Sequence, residues 1–321
     1  MACITTTART SWFGVTLLGN FGVDMTNEVN ALAITSVFSQ ISASLAWTPT
    51  YTRDDGANGT PFYQESGVAL DSESGTGSVV MDPRIDDLDV ILPLLLGNAG
   101  VANVYEPSVD GYCDYFKCSR GLGITTQSFG SCKTSQFTLS SSKAQPKLRL
   151  DWGIEACLQE TGAINSGAIP ATLAFSQEPP LVHTSSTLTL DGVVDVPMDD
   201  VSITGTNNLK TDQFYNSVTR TALPSLGQEY SLSCTTPFDT ANDLARMALR
   251  ASSITASIVY SVGATRSLTI EFPALIATVP TPSVASREAP IRLENIQFQA
   301  YSTGSGATLA APIKFTVDDT P

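Results

Sequence analysis

Short runs in which apolar and polar side chains alternate recur along most of the chain. Near the start, Ile41, Ala43, Leu45 and Trp47 alternate with serine and alanine, as expected for a strand that buries one face. The alternation returns later at Ile254, Ala256, Ile258, Tyr260 and Val262, and after a Gly263-Ala264 turn at Leu268, Ile270 and Phe272. This pattern predicts a mainly β protein with antiparallel strands.

Two short stretches have helical spacing instead. The first has an apolar stripe at Leu88, Ile91, Leu92 and Leu95. Asp86 is predicted as its N-cap with Asp89 at N3, and Gly97 is predicted to end it. The second helix is predicted to begin at Thr240 as N-cap, with Asp243 at N3.

The second half of the chain echoes the first. Arg149-Leu150-Asp151 is matched 143 residues later by Arg292-Leu293-Glu294, and Pro83 and Asp86 are matched 154 residues later by Pro237 and Thr240. Ordered matches at a nearly constant offset indicate a duplicated unit. We therefore predict two tandem antiparallel β-sandwich or barrel units, each with one short α-helix.

The predicted boundaries follow from these matches. Residues 1–33 have no counterpart in the second unit and are predicted to be an N-terminal arm or extra strands. Residues 34–178 form the first unit, with an insertion near 98–118, and 179–186 form a linker after Pro179-Pro180. Residues 187–321 form the second unit.

Composition narrows the function. Only 15 % of the 321 residues are charged, and 31 acidic against 17 basic residues give a formal charge of −14. Neither half has a cluster of Lys and Arg, so tight binding to nucleic acid is not expected. No apolar run approaches the ~20 residues of a membrane-spanning helix. We expect a soluble protein that is made in the cytoplasm.

Catalytic motifs are absent. The sequence contains no G-x-S-x-G and no G-x-G-x-x-G, and its one histidine, His183, is expected to be an exposed linker residue. Asp54 to Glu65 has part of the spacing of a calcium loop, but Gly56 stands at a ligand position and a glycine-rich hairpin tip explains it better. We predict no enzyme activity, no cofactor and no metal.

Two β-rich units that each carry one capped helix after a long hairpin loop resemble the major tail tube proteins of long-tailed bacteriophages. The resemblance rests on the helix openings Pro83-Arg84-Ile85-Asp86 and Pro237-Phe238-Asp239-Thr240 and on the closing runs Ala289 to Leu293 and Pro312 to Phe315. It implies a structural protein of the virion tail. Its subunits would form rings that stack into a hollow tube for DNA ejection.

The resemblance also implies partners. Two fused units favour rings of three chains with pseudo-sixfold symmetry, and rings of six chains are the alternative. Other tail proteins would bind the tube ends, and viral DNA would pass without specific binding. Two polar loops, Thr48 to Ser66 and Gly205 to Gln213, are candidates for contacts between rings. Their candidate residues are Asp54, Asp55, Asn58, Glu65, Asn207, Asn208 and Lys210. A secreted carbohydrate-binding or adhesion β-sandwich protein is the alternative function.

Overall fold

The computed structural model describes residues 11–19, 34, 36–53, 68–108, 115–122, 126–159, 175–193, 196–237, 253–263, 265–278, 293–304 and 309–319. The fold is mainly β, as predicted. In the order of the chain, the elements are β1 (Ser11–Gly19), β2 (Ser36–Phe38), β3 (Gln40–Ala43), β4 (Ala46–Arg53), β5 (Val68–Met81), α1 (Ile85–Leu96), β6 (Val104–Tyr105), β7 (Tyr115–Leu122), β8 (Thr126–Ser142), β9 (Arg149–Gln159), a 3-10 helix (His183–Ser185), β10 (Ser186–Leu190), β11 (Asp200–Thr206), β12 (Glu229–Pro237), β13 (Ile254–Val262), β14 (Arg266–Ala277), β15 (Leu293–Ala300) and β16 (Lys314–Asp318).

The strands pair in the same order twice. In the first half of the chain, β4 pairs with β5, β5 with β9, β9 with β8 and β8 with β7. In the second half, β11 pairs with β12, β12 with β15, β15 with β14 and β14 with β13. All these ladders are antiparallel. The two series join where β11 lies along the second half of β8.

The apolar side chains that line the strands form one continuous core. It includes residues from both halves, from Phe13 to Val317. Trp152 lies near its centre, with ring centroids 5.7 Å from Phe13 and 5.4 Å from Phe116. Every predicted inward position on β13 and β14 is buried except Val262, which is half-buried against the core. On β3 the prediction fails at Ile41, which is 53 % exposed.

Two segments that have no counterpart in the sequence repeat contribute to the sheet. Strand β1, from the predicted N-terminal arm or extra strands, lies between β7 and β2, and its Phe13 and Val15 are buried. In the predicted 98–118 insertion, β6 pairs with β16 of the second half through Tyr105 and Phe315. Each of these segments is therefore held by backbone hydrogen bonds to another part of the chain.

The helix α1 begins two residues earlier than predicted. Its N-cap is Arg84 rather than Asp86, and N3 is Asp87 rather than Asp89. The Arg84 N–H donates to Asp87 Oδ2 (2.9 Å), and the Asp87 N–H donates to Arg84 O (3.0 Å). Ile85 can then be buried in the first turn, which explains the shift. The helix ends as predicted at Gly97, whose φ is 68°.

The predicted linker packs against the first half. Leu181 is buried, Pro180 forms a β-bridge with Arg84, and Val182 forms one with Lys147. His183 is buried rather than exposed. Its Nδ1 lies 3.0 Å from Ser141 Oγ and its Nε2 lies 3.3 Å from Met198 O. The expectation for His183 was wrong because a proline pair indicates a turn but does not indicate whether the residues after it pack against other segments.

Candidate assembly surfaces

The hairpin of β4 and β5 extends beyond the core. From Thr48 to Arg53 every residue of β4 is exposed, and so are Val68 to Asp71 on β5. A strand pair that packs on the core buries one face, whereas here both faces meet solvent. Its exposed side chains include Tyr51, 60 % exposed, and Val68. At its base the Trp47 indole N–H donates to Glu73 Oε2 (3.1 Å).

The tip of this hairpin was predicted to contact the next ring. The candidate residues at this tip lie outside the part of the chain that the structure describes. They are Asp54, Asp55, Asn58 and Glu65. What the structure describes is the two-stranded stem that carries them. The stem is antiparallel from Arg53–Val68 down to Ala46–Thr76, with a bulge between Thr50 and Tyr51.

The second candidate loop follows β11. It runs from Asn207 to Gln228, and β12 begins at the next residue, Glu229. The loop is therefore longer than the predicted loop Gly205 to Gln213. Asn207 is completely buried, so its assignment to an exposed contact between rings was wrong. Asn208 is half-buried, with its Nδ2 donating to Glu229 Oε1 (3.2 Å), and Lys210 is exposed.

Asn207 instead anchors the loop to the end of helix α1. Its Nδ2 donates to Leu95 O (3.2 Å) and to Thr134 O (2.9 Å). Its Oδ1 accepts from Gln228 Nε2 (3.0 Å). Asn207 therefore uses both ends of its amide to tie together three segments, which accounts for its burial.

The last turn of α1 is capped by side chains. The final carbonyls of a helix have no partner within the helix and need donors from elsewhere. Leu94 O accepts from Thr134 Oγ1 (2.6 Å), Leu95 O from Asn207, and Leu96 O from Gln228 Nε2 (3.2 Å). Strand β8 and both ends of the 207–228 loop thus hold one helix terminus.

The middle of the 207–228 loop lies on the first half of the chain. The Glu73 N–H donates to Val218 O (2.7 Å), and the Leu223 N–H donates to the Tyr115 hydroxyl (3.2 Å). Arg220 forms an ion pair with Glu155. Since Glu73, Tyr115 and Glu155 belong to β5, β7 and β9, the loop fastens the second half of the chain onto the first.

The two halves also share a strand junction. Strand β11 pairs with β8 over seven residues, from Asp200–Ser142 to Thr206–Gln136. Ile203 and Leu139 face each other in the core, and Thr204 Oγ1 and Thr138 Oγ1 lie 3.4 Å apart on the other face. One continuous sheet therefore passes from the first half into the second.

A known family accounts for this architecture. The family model described as "Phage tail tube protein" matches residues 10–300, which include both halves and their junction. The chain belongs to this family of tail tube proteins. A comparison with individual curated proteins found no match. A tail tube protein is a structural component of the bacteriophage tail, as the sequence predicted, and such families typically have no catalytic activity.

The carboxylates at the start of α1 in this tail tube protein have different partners from those predicted. Asp86 Oδ1 accepts from Ser176 Oγ, and Asp89 Oδ1 accepts from the Tyr105 hydroxyl (2.8 Å). Burial raises the pKa of Asp87 to about 6, although the Arg84 N–H opposes the shift. Burial also raises the pKa of Asp89, against the effect of its bond from Tyr105. The other predicted caps, Thr240 and Asp243, lie outside the described residues.

The described part of the tail tube protein lacks two further features. It contains no group of three or more His, Cys, Asp or Glu side chains arranged to hold a metal ion. It also contains no helix that is long and apolar enough to cross a membrane.

Sequence reasoning missed three residues that hold the 207–228 loop and the end of helix α1 in place. Arg220, Glu155 and Thr134 have no motif around them and no periodicity that marks them. Their roles depend on which strands become neighbours. The sequence offers no separate signal for Arg220, because the same loop also contains the charged residues Lys210 and Asp212.

Proposed function

We propose that this tail tube protein is the major tail tube subunit and that its rings stack into the hollow conduit through which viral DNA leaves the virion. Family membership supports a subunit of the tube. The observation that carries the stacking of rings is the β4–β5 hairpin. Its stem is exposed on both faces and presents Tyr51 and Val68 to solvent. Exposed apolar side chains that are grouped together mark sites of association.

The hairpin reaches the adjacent ring in this proposal. Asp54, Asp55, Asn58 and Glu65 at its tip, together with Asn208 and Lys210 on the second loop, are the polar residues proposed to contact that ring. Asn207 is no longer part of this set because it is buried. Contacts made through polar tips and through the exposed apolar side chains of the stem would give a stack with both specificity and buried apolar area.

Three chains form each ring in the preferred arrangement, and six chains are the alternative. The repeated pairing order supports the predicted duplication, since each half reproduces the ladder of the other. Two equivalent units in each chain make a ring of three chains pseudo-sixfold. A head-to-tail interface of this kind closes into a ring when a whole number of its rotations makes a full turn.

The charge of the chain suits the passage of DNA. At −14 for each chain, a ring of three chains would have a formal charge of about −42. An acidic conduit repels phosphates, so DNA would move through without adhering. Other tail proteins would bind at the two ends of the tube, where the last rings leave their stacking surfaces open.

Electron microscopy of the purified protein at high concentration tests the proposal. We expect rings and stacked tubes with a central channel, and class averages with threefold or pseudo-sixfold symmetry. Averages with strict sixfold symmetry and twice the mass would support six chains for each ring. A protein that stays monomeric over the whole concentration range would contradict the assembly proposal.

A further inference from the structure

Two buried thiols lie in contact between strands β7 and β8. Cys118 Sγ and Cys132 Sγ are 3.6 Å apart, and both side chains are completely buried. Both residues are free cysteines. The two sulfur atoms are therefore in van der Waals contact, and a small movement of either side chain would bring them within bonding distance.

A bulge in β8 brings the two thiols to the same face of the sheet. Phe116 lies opposite Cys132 and Cys118 lies opposite Phe129, which is three steps along β8 against two along β7. Residues three apart on a regular strand point to opposite faces, yet Phe129 and Cys132 both belong to the core. Within the bulge Ser131 has a φ of 47°, a left-handed conformation that costs energy for a residue other than glycine. The contact between the thiols therefore depends on this irregular backbone.

Cys234 provides a comparison within the same chain. It is completely buried on β12, opposite Val201 on one side and Ile296 on the other. With aliphatic neighbours on both strands, Cys234 serves as a small apolar side chain of the core. Cys118 and Cys132 differ from Cys234 because each of them has a second thiol as its neighbour.

The surroundings of a virion favour the oxidation of such a pair. Thiols in the cytoplasm are kept reduced, whereas disulfides form and persist in extracellular proteins and on virions. The family to which this chain belongs is a component of the phage tail. A tail protein leaves the cell with the virion, so its cysteines move from a reducing to an oxidising environment.

We propose that Cys118 and Cys132 form a modification site, a thiol pair that is reduced inside the cell and becomes a disulfide in the released virion. The oxidant is a low-molecular-weight disulfide. One protein thiolate attacks it and releases a small thiol, which leaves a mixed disulfide on the protein. The second protein thiolate attacks the protein sulfur of that mixed disulfide and releases the other small thiol. The two cysteines lose two electrons and two protons, and the two small thiols gain them.

Burial makes this reaction slow. It raises the pKa of the Cys132 thiol, and the hydrogen bond with Cys118 raises it further, so little thiolate forms while the strands are closed. The oxidant reaches the thiols only when β7 and β8 separate locally. The pair is therefore expected to stay reduced during synthesis and to oxidise gradually after release.

The disulfide would fasten strands at one side of the first half. Strand β7 lies between β1 and β8, and β8 in turn pairs with β9 and β11. The cross-link would join cysteines 14 positions apart, so it would restrict a short loop of the unfolded chain. We expect oxidation to raise the Tm by about 3–8 °C. The inference goes beyond the proposed function and does not depend on how many chains form a ring.

Oxidation of the unaltered protein tests the site. After incubation with oxidised glutathione, with and without urea below the unfolding transition, non-reducing digestion and mass spectrometry should find the peptides of Cys118 and Cys132 linked. Dithiothreitol should remove both the link and the rise in Tm. No link even in urea would overturn the inference, and so would a link from Cys118 to another cysteine such as Cys113, which lies outside the described residues.

Released virions test the change of environment. Virions that are alkylated with iodoacetamide before digestion should contain the linked peptides, whereas protein alkylated inside the producing cells should carry the alkyl group on both cysteines. Virions in which both cysteines are alkylated would contradict the proposal.

Two variants separate the pair from a general effect of oxidation. Cys132→Ala should lose the link and the rise in Tm, and Cys234→Ala, which removes an equally buried thiol, should keep both. Cys118→Ala replaces Cys132→Ala if the latter does not fold. An equal rise in Tm without the pair would overturn the inference. A failure to form rings would count against the proposed function alone, because the link is measured within a single chain.

Discussion

Arg220 Nη1 lies 2.5 Å from Glu155 Oε2, and this ion pair joins a loop of the second half of the chain to strand β9 of the first. Both side chains are nearly buried, with 9 % and 15 % of their surfaces exposed. Glu155 Oε1 also accepts from Thr76 Oγ1 (2.9 Å). The carboxylate is therefore satisfied from two directions, and either charge would be left without its partner if the other were removed.

We expect Arg220→Ala to lower the free energy of unfolding by about 2–4 kcal/mol, because it leaves Glu155 charged in a nearly dry site. Lys314→Ala is the control, since Lys314 pairs with Glu271 where both side chains are about 40 % exposed, and should cost less than about 1 kcal/mol. Urea denaturation of the two variants measures the difference. Equal losses would show that the Arg220 pair does not hold the loop.

Asn207 tests the attachment of the same loop to helix α1. Asn207→Ala removes two donors from buried carbonyls and one acceptor from Gln228, so we expect a loss of about 2–4 kcal/mol in stability. Asn207→Asp should be at least as damaging at neutral pH because the carboxylate cannot donate.

The control for Asn207 is Lys210→Ala, three residues further along the loop. Lys210 is exposed and its nearest acidic partner, Asp212 Oδ1, lies 3.9 Å away, so we expect a change within about 0.5 kcal/mol. Thermal unfolding followed by circular dichroism measures both variants. An Asn207→Ala variant as stable as Lys210→Ala would contradict the anchoring role.

The local sequence pattern predicted much of the fold, because the alternation of apolar and polar residues in each strand shows which of its faces is buried. The inward positions of β13 and β14 follow from alternation alone, and the end of α1 follows from Gly97, which has the φ that favours glycine. The repeated ladder order also agrees with the echo between Arg149-Leu150 and Arg292-Leu293. The division into two units stays a prediction.

The errors have one physical origin, which is contact between segments distant in the chain. Asn207 looks like a polar loop residue, yet its amide bonds to carbonyls 112 and 73 residues away. His183 looks like part of a linker, yet strand β8 reaches it through Ser141. For α1, the capping pattern is compatible with two starting points, and burial of Ile85 selects the earlier one. None of these contacts can be predicted from the residues next to it in the sequence.

Asp87 predicts how stability depends on pH. Burial raises its pKa from 3.8 to about 6, so the folded protein favours the protonated acid. Its contribution to stability is present below pH 4 and is lost as the pH rises through about 6. Asp87→Asn cannot ionise, so relative to the unaltered protein it should gain about 1–2 kcal/mol between pH 4 and pH 7. Chemical denaturation at both pH values checks this, and a difference that is constant with pH would refute it.

The hairpin stem predicts a variant that folds but does not stack. Tyr51 is 60 % exposed in the single chain, so Tyr51→Asp should change the free energy of unfolding by less than about 1 kcal/mol. If Tyr51 becomes buried between rings, the new carboxylate would have to be desolvated there, and tube length should fall at least tenfold. Electron microscopy and sedimentation measure this.

Val101→Asp is the matched control for the hairpin, because Val101 is also an exposed apolar residue, at 78 %, but lies after helix α1 rather than on the stem. It should leave the tubes intact. Single rings without tubes in Tyr51→Asp would separate stacking from ring closure. Tubes of normal length in Tyr51→Asp would show that the stem does not mediate stacking.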